Sequence, residues 1–193
     1  MTNTSVCSAS CTSATDRTQR FRGEQMKLRA ANSEDEEFLW EAQSHAALLD
    51  SKGDPAAAVQ SNPDLARYVE GWGRIGDIGV IAEYENKPVG AAWCRLFRKE
   101  TPGYGWLDEE TPEISVAILP EFRQKGVGTS LLMRLLEVTC EKNKMISLAV
   151  RSTNPALRLY LRLGFRVLPE RNFVNRTGVL SHVMVRECIA CHV

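Results

Sequence analysis

Apolar and polar positions divide the chain into a polar lead and a patterned body. Residues 1–25, "MTNTSVCSASCTSATDRTQRFRGEQ", are rich in Ser and Thr and almost lack bulky apolar side chains. Such a stretch buries too little surface to offset the entropy of ordering, which predicts a disordered tail over 1–25 and a folded domain over 26–193. "MKLRAA", opening at Met26, predicts a first strand. Ser33 and Glu36 stand at capping-box spacing with acidic residues in the first turn, which predicts a helix from about Glu34 to Leu49. Pro55 after Asp54 and Pro63 after Asn62 then open two shorter helices, which run out at "GWGRIGD".

The pattern next turns to strands. "IGVIAEY", the turn "ENK" and "PVGAAWCRLF" predict an antiparallel hairpin. A Gly-, Pro- and acid-rich loop from Arg98 to Pro112 follows, long enough to be functional, and then the strand "EISVAIL". Leu131, Leu132, Leu135, Leu136 and Cys140 recur at helical spacing, which predicts an amphipathic helix from Gly126 to about Asn143. "MISLAVR" predicts a buried strand, Asn154 to Leu163 a short helix, and "GFRVL" with "VLSHVMVREC" two closing strands. This order predicts a mixed α/β sandwich in a single domain, with no internal repeat.

Composition narrows the partners. The chain has 193 residues, 24 basic and 24 acidic, with a pI near 6.8, so no global field favours nucleic acid or an anionic membrane. No apolar run approaches the roughly 20 residues of a membrane-spanning helix, and the N-terminus lacks the apolar middle of a secretory signal, so a cytoplasmic location is expected. Six cysteines are too scattered for a disulfide framework, and Cys94 and Cys140 are expected as reduced core thiols. "CIACH", Cys188 to His192, has the C-x-x-C-H spacing of haem attachment, but it sits at the chain's end with no room for a haem-enclosing domain. Zinc there would need ligands from as far as Cys7 and Cys11, so no metal is expected. His182, alone on a strand, is expected to be structural.

Candidate chemistry centres on "PEFRQKGVGTSLL". In a strand, glycine turn, helix sequence, the amides of about residues 124 to 129 face forward at the positive end of the helix dipole, which suits an anion. Gly126 and Gly128 would equally serve a tight turn or close helix packing. A nucleotide P-loop is excluded because no G-x-x-x-x-G-K-[ST] occurs. A dinucleotide fingerprint fails too: Leu131 stands at the third glycine position and "MISLAVR" carries no acid. The pattern Arg123-x-x-Gly126-x-Gly128 after a strand ending in Pro120 resembles the pyrophosphate motif of the GNAT superfamily of acetyl-CoA-dependent N-acetyltransferases. "KLRAANSEDEEFL" is similar to that family's opening strand and helix. "RSTNPALRLYLRLGFR" resembles its second signature, so the likeness spans about Met26 to Glu187.

The resemblance implies the GNAT fold: a twisted, mostly antiparallel mixed sheet of six to seven strands flanked by about four helices. It implies acetyl-CoA as cosubstrate, with Val116, Ala117 and Ile118 along the pantetheine arm and acetyl carbonyl. Arg123, Gln124, Lys125, Gly126, Val127, Gly128 and Thr129 would hold the pyrophosphate, and Asn154 would bond the arm, cap its helix, or both. The implied reaction is attack by a neutral primary amine on the thioester, with Tyr160 as general acid toward the leaving thiolate. The acceptor would be a small molecule or a protein amine, and a homodimer is left open.

The pattern departs at the general base. Ala149 occupies the position where many family members that acetylate protein N-termini carry a Glu. Glu113 is the first alternative and Glu83 the second, each acting through a water. Asp108, Glu109, Glu110 and Glu113 either attract a cationic amine or form a solvated loop, and Tyr104, Trp106 and Trp72 either wall an acceptor pocket or pack as core. The missing Glu also leaves open a non-catalytic acyl-CoA-binding or sensing domain.

Overall fold

The computed structural model describes residues 17–21, 24–47 and 54–188, the first seven of them, 17–21 and 24–25, by backbone alone. Eight strands form one open sheet in the order β1-β2-β3-β4-β5-β6-β8-β7. They are β1 (Arg17–Phe21), β2 (Glu24–Ala30), β3 (Ile78–Tyr84), β4 (Lys87–Arg95), β5 (Glu113–Ile118), β6 (Met145–Arg151), β7 (Arg166–Val174) and β8 (Leu180–Glu187). The helices are α1 (Glu36–Ala46), α2 (Pro55–Gln60), α3 (Pro63–Ala66), α4 (Val127–Cys140) and α5 (Leu157–Arg162). The expected sheet is present as the seven strands from β2 onward. An eighth, β1, lies inside the stretch expected as a tail and pairs antiparallel with β2. Its sequence, Arg-Thr-Gln-Arg-Phe, carries no apolar run, so hydrophobic patterning passes over it.

Period-two alternation sorts the strand side chains into two layers. Ile114, Val116 and Ile118 of β5, with Ile146, Leu148 and Val150 of β6, pack toward Leu131, Leu132, Leu135 and Leu136 of α4. The opposite face buries Ile81, Ala91, Trp93 and Ala117 against Leu39 and Ala42 of α1 and against Tyr68, Val69 and Trp72. Glu113, Ser115, Ser147, Ala149 and Arg151 therefore belong to the face that looks toward α1.

The first helix begins one residue before the expected cap. Asn32 is extended, its side chain accepts from the Glu34 amide at 2.8 Å, and its own amide donates to Asp35 Oδ2 at 2.8 Å. That reciprocal box initiates a 3₁₀ turn, Ser33–Asp35, from which α1 continues. Ala47 caps α1, and the expected extension to Leu49 lies outside the described residues. Pro55 and Pro63 open α2 and α3 as expected, with Asp54 and Asn62 as side-chain caps.

The segment between α3 and β3 is held by one buried cation. Arg95, 0% exposed, donates through Nη1 to the carbonyls of Arg67 and Glu70, through Nη2 to Gly71 and Asp77, and through Nε to Asp77 Oδ1 at 2.9 Å. All five guanidinium donors are thereby used, which is what makes so buried a charge tolerable. Trp93 Nε1 donates to the Tyr68 carbonyl at 3.0 Å, so the backbone around Tyr68 is fixed from both sides.

Two thiols depart from expectation. Cys94 is free and buried, with its Sγ 3.6 Å from Thr139 Oγ1, and burial pushes its pKa up to about 11. Cys140, expected to be reduced, is instead bonded to Cys188, the two Cα atoms 4.9 Å apart. The spacing of 48 residues hides this pairing from the sequence; it arises because β8 runs back beside β6 and ends under the C-terminus of α4. Cys188 is thus taken from the "CIACH" motif, while Cys191, His192, Cys7 and Cys11 lie outside the described residues.

Candidate active site

The site arises where the sheet comes apart. β5 and β6 are its one parallel pair, and they share a single register pair, Glu113 with Ser147, before diverging. Beyond that apex a cleft of about 150 Å³ runs through the sheet, its walls drawn from both faces. Val116, Val150 and Tyr160 come from the α4 side, and Glu113, Ala149 and Arg151 from the α1 side.

Glu113 occupies the apex. It is only 3% exposed, and Oε1 accepts from the Tyr68 hydroxyl at 2.7 Å, which itself accepts from the Tyr104 amide at 2.7 Å. Oε2 is buried without a hydrogen-bond partner among the described residues, pressed by Gly103, where a Cβ would stand 2.1 Å away. Burial raises the carboxyl pKa to about 7, against the lowering effects of the Tyr68 hydroxyl and the nearby Gly105 amide. Tyr68 is held protonated: burial first, then the Glu113 charge, raises its pKa well above the usual phenol value.

At the other end of β5 the chain builds the cradle. A 3₁₀ turn, Pro120–Phe122, leads to Gln124 at φ 59° and Gly126 at φ 85°, two left-handed residues that turn the backbone into α4. No side chain among the described residues caps α4, so its first-turn amides at Val127, Gly128 and Thr129 have no intrahelical acceptor and face outward. A Cβ on Gly128 would lie 3.0 Å from Ile118 Cδ1, so the glycine lets α4 close on β5. Arg123 Nε donates to the Ile118 carbonyl at 2.9 Å, and Lys125 Nζ donates to the Glu121 carbonyl and lies over the Phe122 ring. In this structure both side chains brace the turn. An anionic diphosphate fits the outward amides, and an extended amide-bearing arm fits the β5 edge that β6 abandons.

Tyr160 stands on α5 inside the cleft, 6% exposed and edge-on to Phe165 at 5.9 Å, and burial drives its pKa up. Asn154 lines the same cleft, and its Oδ1 accepts from the Ala156 amide at 2.9 Å in a turn ahead of α5; the helix cap itself is Ala156, with no side-chain bond.

The structure therefore brings Glu113, Val116, Asn154, Tyr160 and Tyr104 to one cleft. Ala117 is buried against the α1 layer and Ile118 packs under Gly128, so those two bear on the cleft through backbone only. Glu83 is not brought there: it accepts from Arg29 Nε at 2.6 Å, beside a bidentate Arg29–Asp35 pair. Asp108, Glu109 and Glu110 do not line the cleft either; Asp108 caps the Glu110 amide and Glu109 accepts from the Lys99 amide. Trp72 and Trp106 are core side chains donating to the carbonyls of Asn32 and Phe97. His182 does not line the cleft, and its Nδ1 lies 3.1 Å from Asn172 Oδ1.

Sequence reasoning missed Gln43, Tyr68, Arg151, Phe173 and Arg176, all of which line the cleft. Only strand alternation carried a signal, and only for Arg151, two residues beyond Ala149 on the same face.

A split mixed sheet with a glycine cradle at one end of the gap and a buried carboxylate at the other puts an anion site and a titratable group on one cleft. Residues 26–165 match the model of the acetyltransferase (GNAT) family, and the chain belongs to that family. It is 31% identical over 118 residues to an N-alpha-acetyltransferase of Sulfolobus acidocaldarius, covering 57% of this chain and 68% of that protein. Its fold is similar to that of yncA from Salmonella typhimurium, solved with its cofactor acetyl-CoA (TM-score 0.63, 23% identity, 87% of this chain and 96% of that one). It is also similar to ribosomal-protein-alanine N-acetyltransferase from Brucella melitensis (TM-score 0.61, 21% identity, 83% and 98%). No helix among the described residues is long and apolar enough to cross a membrane.

Proposed function

We propose that the chain is an N-acetyltransferase that moves the acetyl group of acetyl-CoA onto a primary amine by direct attack. The observation that carries this reading is the pairing, in one cleft, of a buried carboxyl near neutral pKa with a buried, protonated phenol. The amine nitrogen forms the new C–N bond, the C–S bond breaks, one amine proton leaves toward Glu113, and the thiolate takes the Tyr160 proton. Because Glu113 Oε2 is sealed by Gly103 and Oε1 is engaged by Tyr68, the proton reaches Glu113 through the Tyr68 hydroxyl. Tyr68 accepts from the cleft as it donates to the carboxylate. The amides of Val127, Gly128 and Thr129 bind the pyrophosphate, and the free β5 edge around Val116 holds the pantetheine arm.

Purified protein mixed with acetyl-CoA and an amine library, read by thiol release, tests the proposal. Acetyl-CoA binding without acceptor-dependent thiol release overturns it and leaves a binding or sensing domain. Tyr160→Phe is expected to lower turnover about a hundredfold, with coenzyme A affinity measured by calorimetry within about twofold of the parent.

A further inference from the structure

The charges inside the cleft do not suit a simple cationic amine. Besides Glu113, the charged side chains that line it are Arg151 and Arg176. Arg151 Nη2 donates to the Ala47 carbonyl at 2.9 Å, and Arg176 Nη2 reaches the same oxygen at 3.5 Å. Each guanidinium carries five donors, and neither meets a carboxylate among the described residues. The Arg176 charge is felt by Tyr104 in the same cleft, lowering the phenol's pKa against the upward pull of burial.

The opposite end is built for acceptance. Gln43 lines the cleft with a buried side-chain oxygen, Oε1, that has no partner among the described residues, while Glu113 addresses the cleft through the Tyr68 hydroxyl, its own Oε2 lying against Gly103. Between the two ends the wall is aromatic: Tyr104 stacks on Phe173 at 5.8 Å and on Tyr68 at 6.4 Å. Along β6, Ser147 beside Glu113 and Arg151 at the rim are four residues apart, roughly 13 Å at about 3.3 Å per residue. A short molecule with opposite charges at its ends fits that span.

We propose that the acceptor is an amine that also carries a carboxylate, with the nitrogen directed toward Gln43, Tyr68 and Glu113 and the carboxylate held by Arg151 and Arg176. The inference rests on the reading of this cleft as the amine site. The carboxylate comes from a free amino acid, or from an acidic side chain close to a peptide's N-terminus. A planar guanidinium fork matches either.

The full chain, saturated with coenzyme A, is titrated calorimetrically with the free L-amino acids, their carboxamides, spermidine, and amidated tetrapeptides with or without Asp or Glu at position two. The same probes are offered with acetyl-CoA and followed by thiol release. At least one carboxylate-bearing probe is expected to bind about tenfold more tightly than its neutral match. In Arg176→Gln, at an exposed position, and in the Arg151→Gln Arg176→Gln double variant, that preference falls to within about twofold. A response confined to amino acids assigns the anion to an α-carboxylate, and one confined to peptides assigns it to a side chain. Equal binding of carboxylates and carboxamides, or tighter binding of spermidine, overturns the proposal. A carboxylate preference in calorimetry without acceptor-dependent thiol release upholds the anion pocket and removes the transferase reading alone.

Discussion

At the scale of single residues, Glu113 carries the most consequence. Its carboxyl is raised to about 7 from an ordinary 4.5 because it is buried. A base must be deprotonated, so kcat/KM is expected to climb with pH through about 7 and then level, and Glu113→Gln is expected to abolish that limb with a loss of about a hundredfold. The same shift links to stability. The folded state holds this proton more tightly than the unfolded chain, so the group's contribution is fully present below about 4.5 and is lost as pH rises through about 7. The loss is on the order of 3 kcal/mol. Urea denaturation at pH 5 and pH 8 checks it: wild type should lose stability relative to Glu113→Gln between the two. The sequence shows this carboxylate at a strand start, but its partner Tyr68 is 45 residues away and its burial depends on a loop folding back over it. Neither is a local property.

At the scale of elements, legibility follows sequence range. The cradle was readable because every requirement for it lies within nine residues: a strand end, left-handed turn residues and a helix start. Gly128→Val is expected to push α4 off Ile118, weakening coenzyme A binding about tenfold or more by calorimetry and lowering stability by about 1–3 kcal/mol. Cap positions shifted by a residue because Ser33 and Asn32 are both competent caps, and the Arg29–Asp35 pair favours the box that uses Asp35. The acidic loop left two readings open for another reason. Residues 98–112 approach the site through Gly103 and Tyr104, whereas Asp108, Glu109 and Glu110 spend their oxygens on loop amides or point elsewhere. Composition counts charges; it cannot aim them.

At the scale of the whole molecule, the sheet is two antiparallel blocks, β1 to β5 and β6 to β8, hinged on one parallel register pair. Helix α4 packs on strands of both blocks and is tied covalently to the second by the Cys140–Cys188 bond. Cys188→Ser is expected to lower stability by about 2–4 kcal/mol in oxidising buffer, and to change nothing once a thiol reductant is present. Chemical denaturation with and without reductant separates these outcomes. The bond also makes β6, α5, β7 and β8 part of one covalent ring. Trypsin cutting the exposed turn after Arg176 would open that ring without parting it, and the two polypeptides would travel as one species on a gel until the sulfurs are reduced.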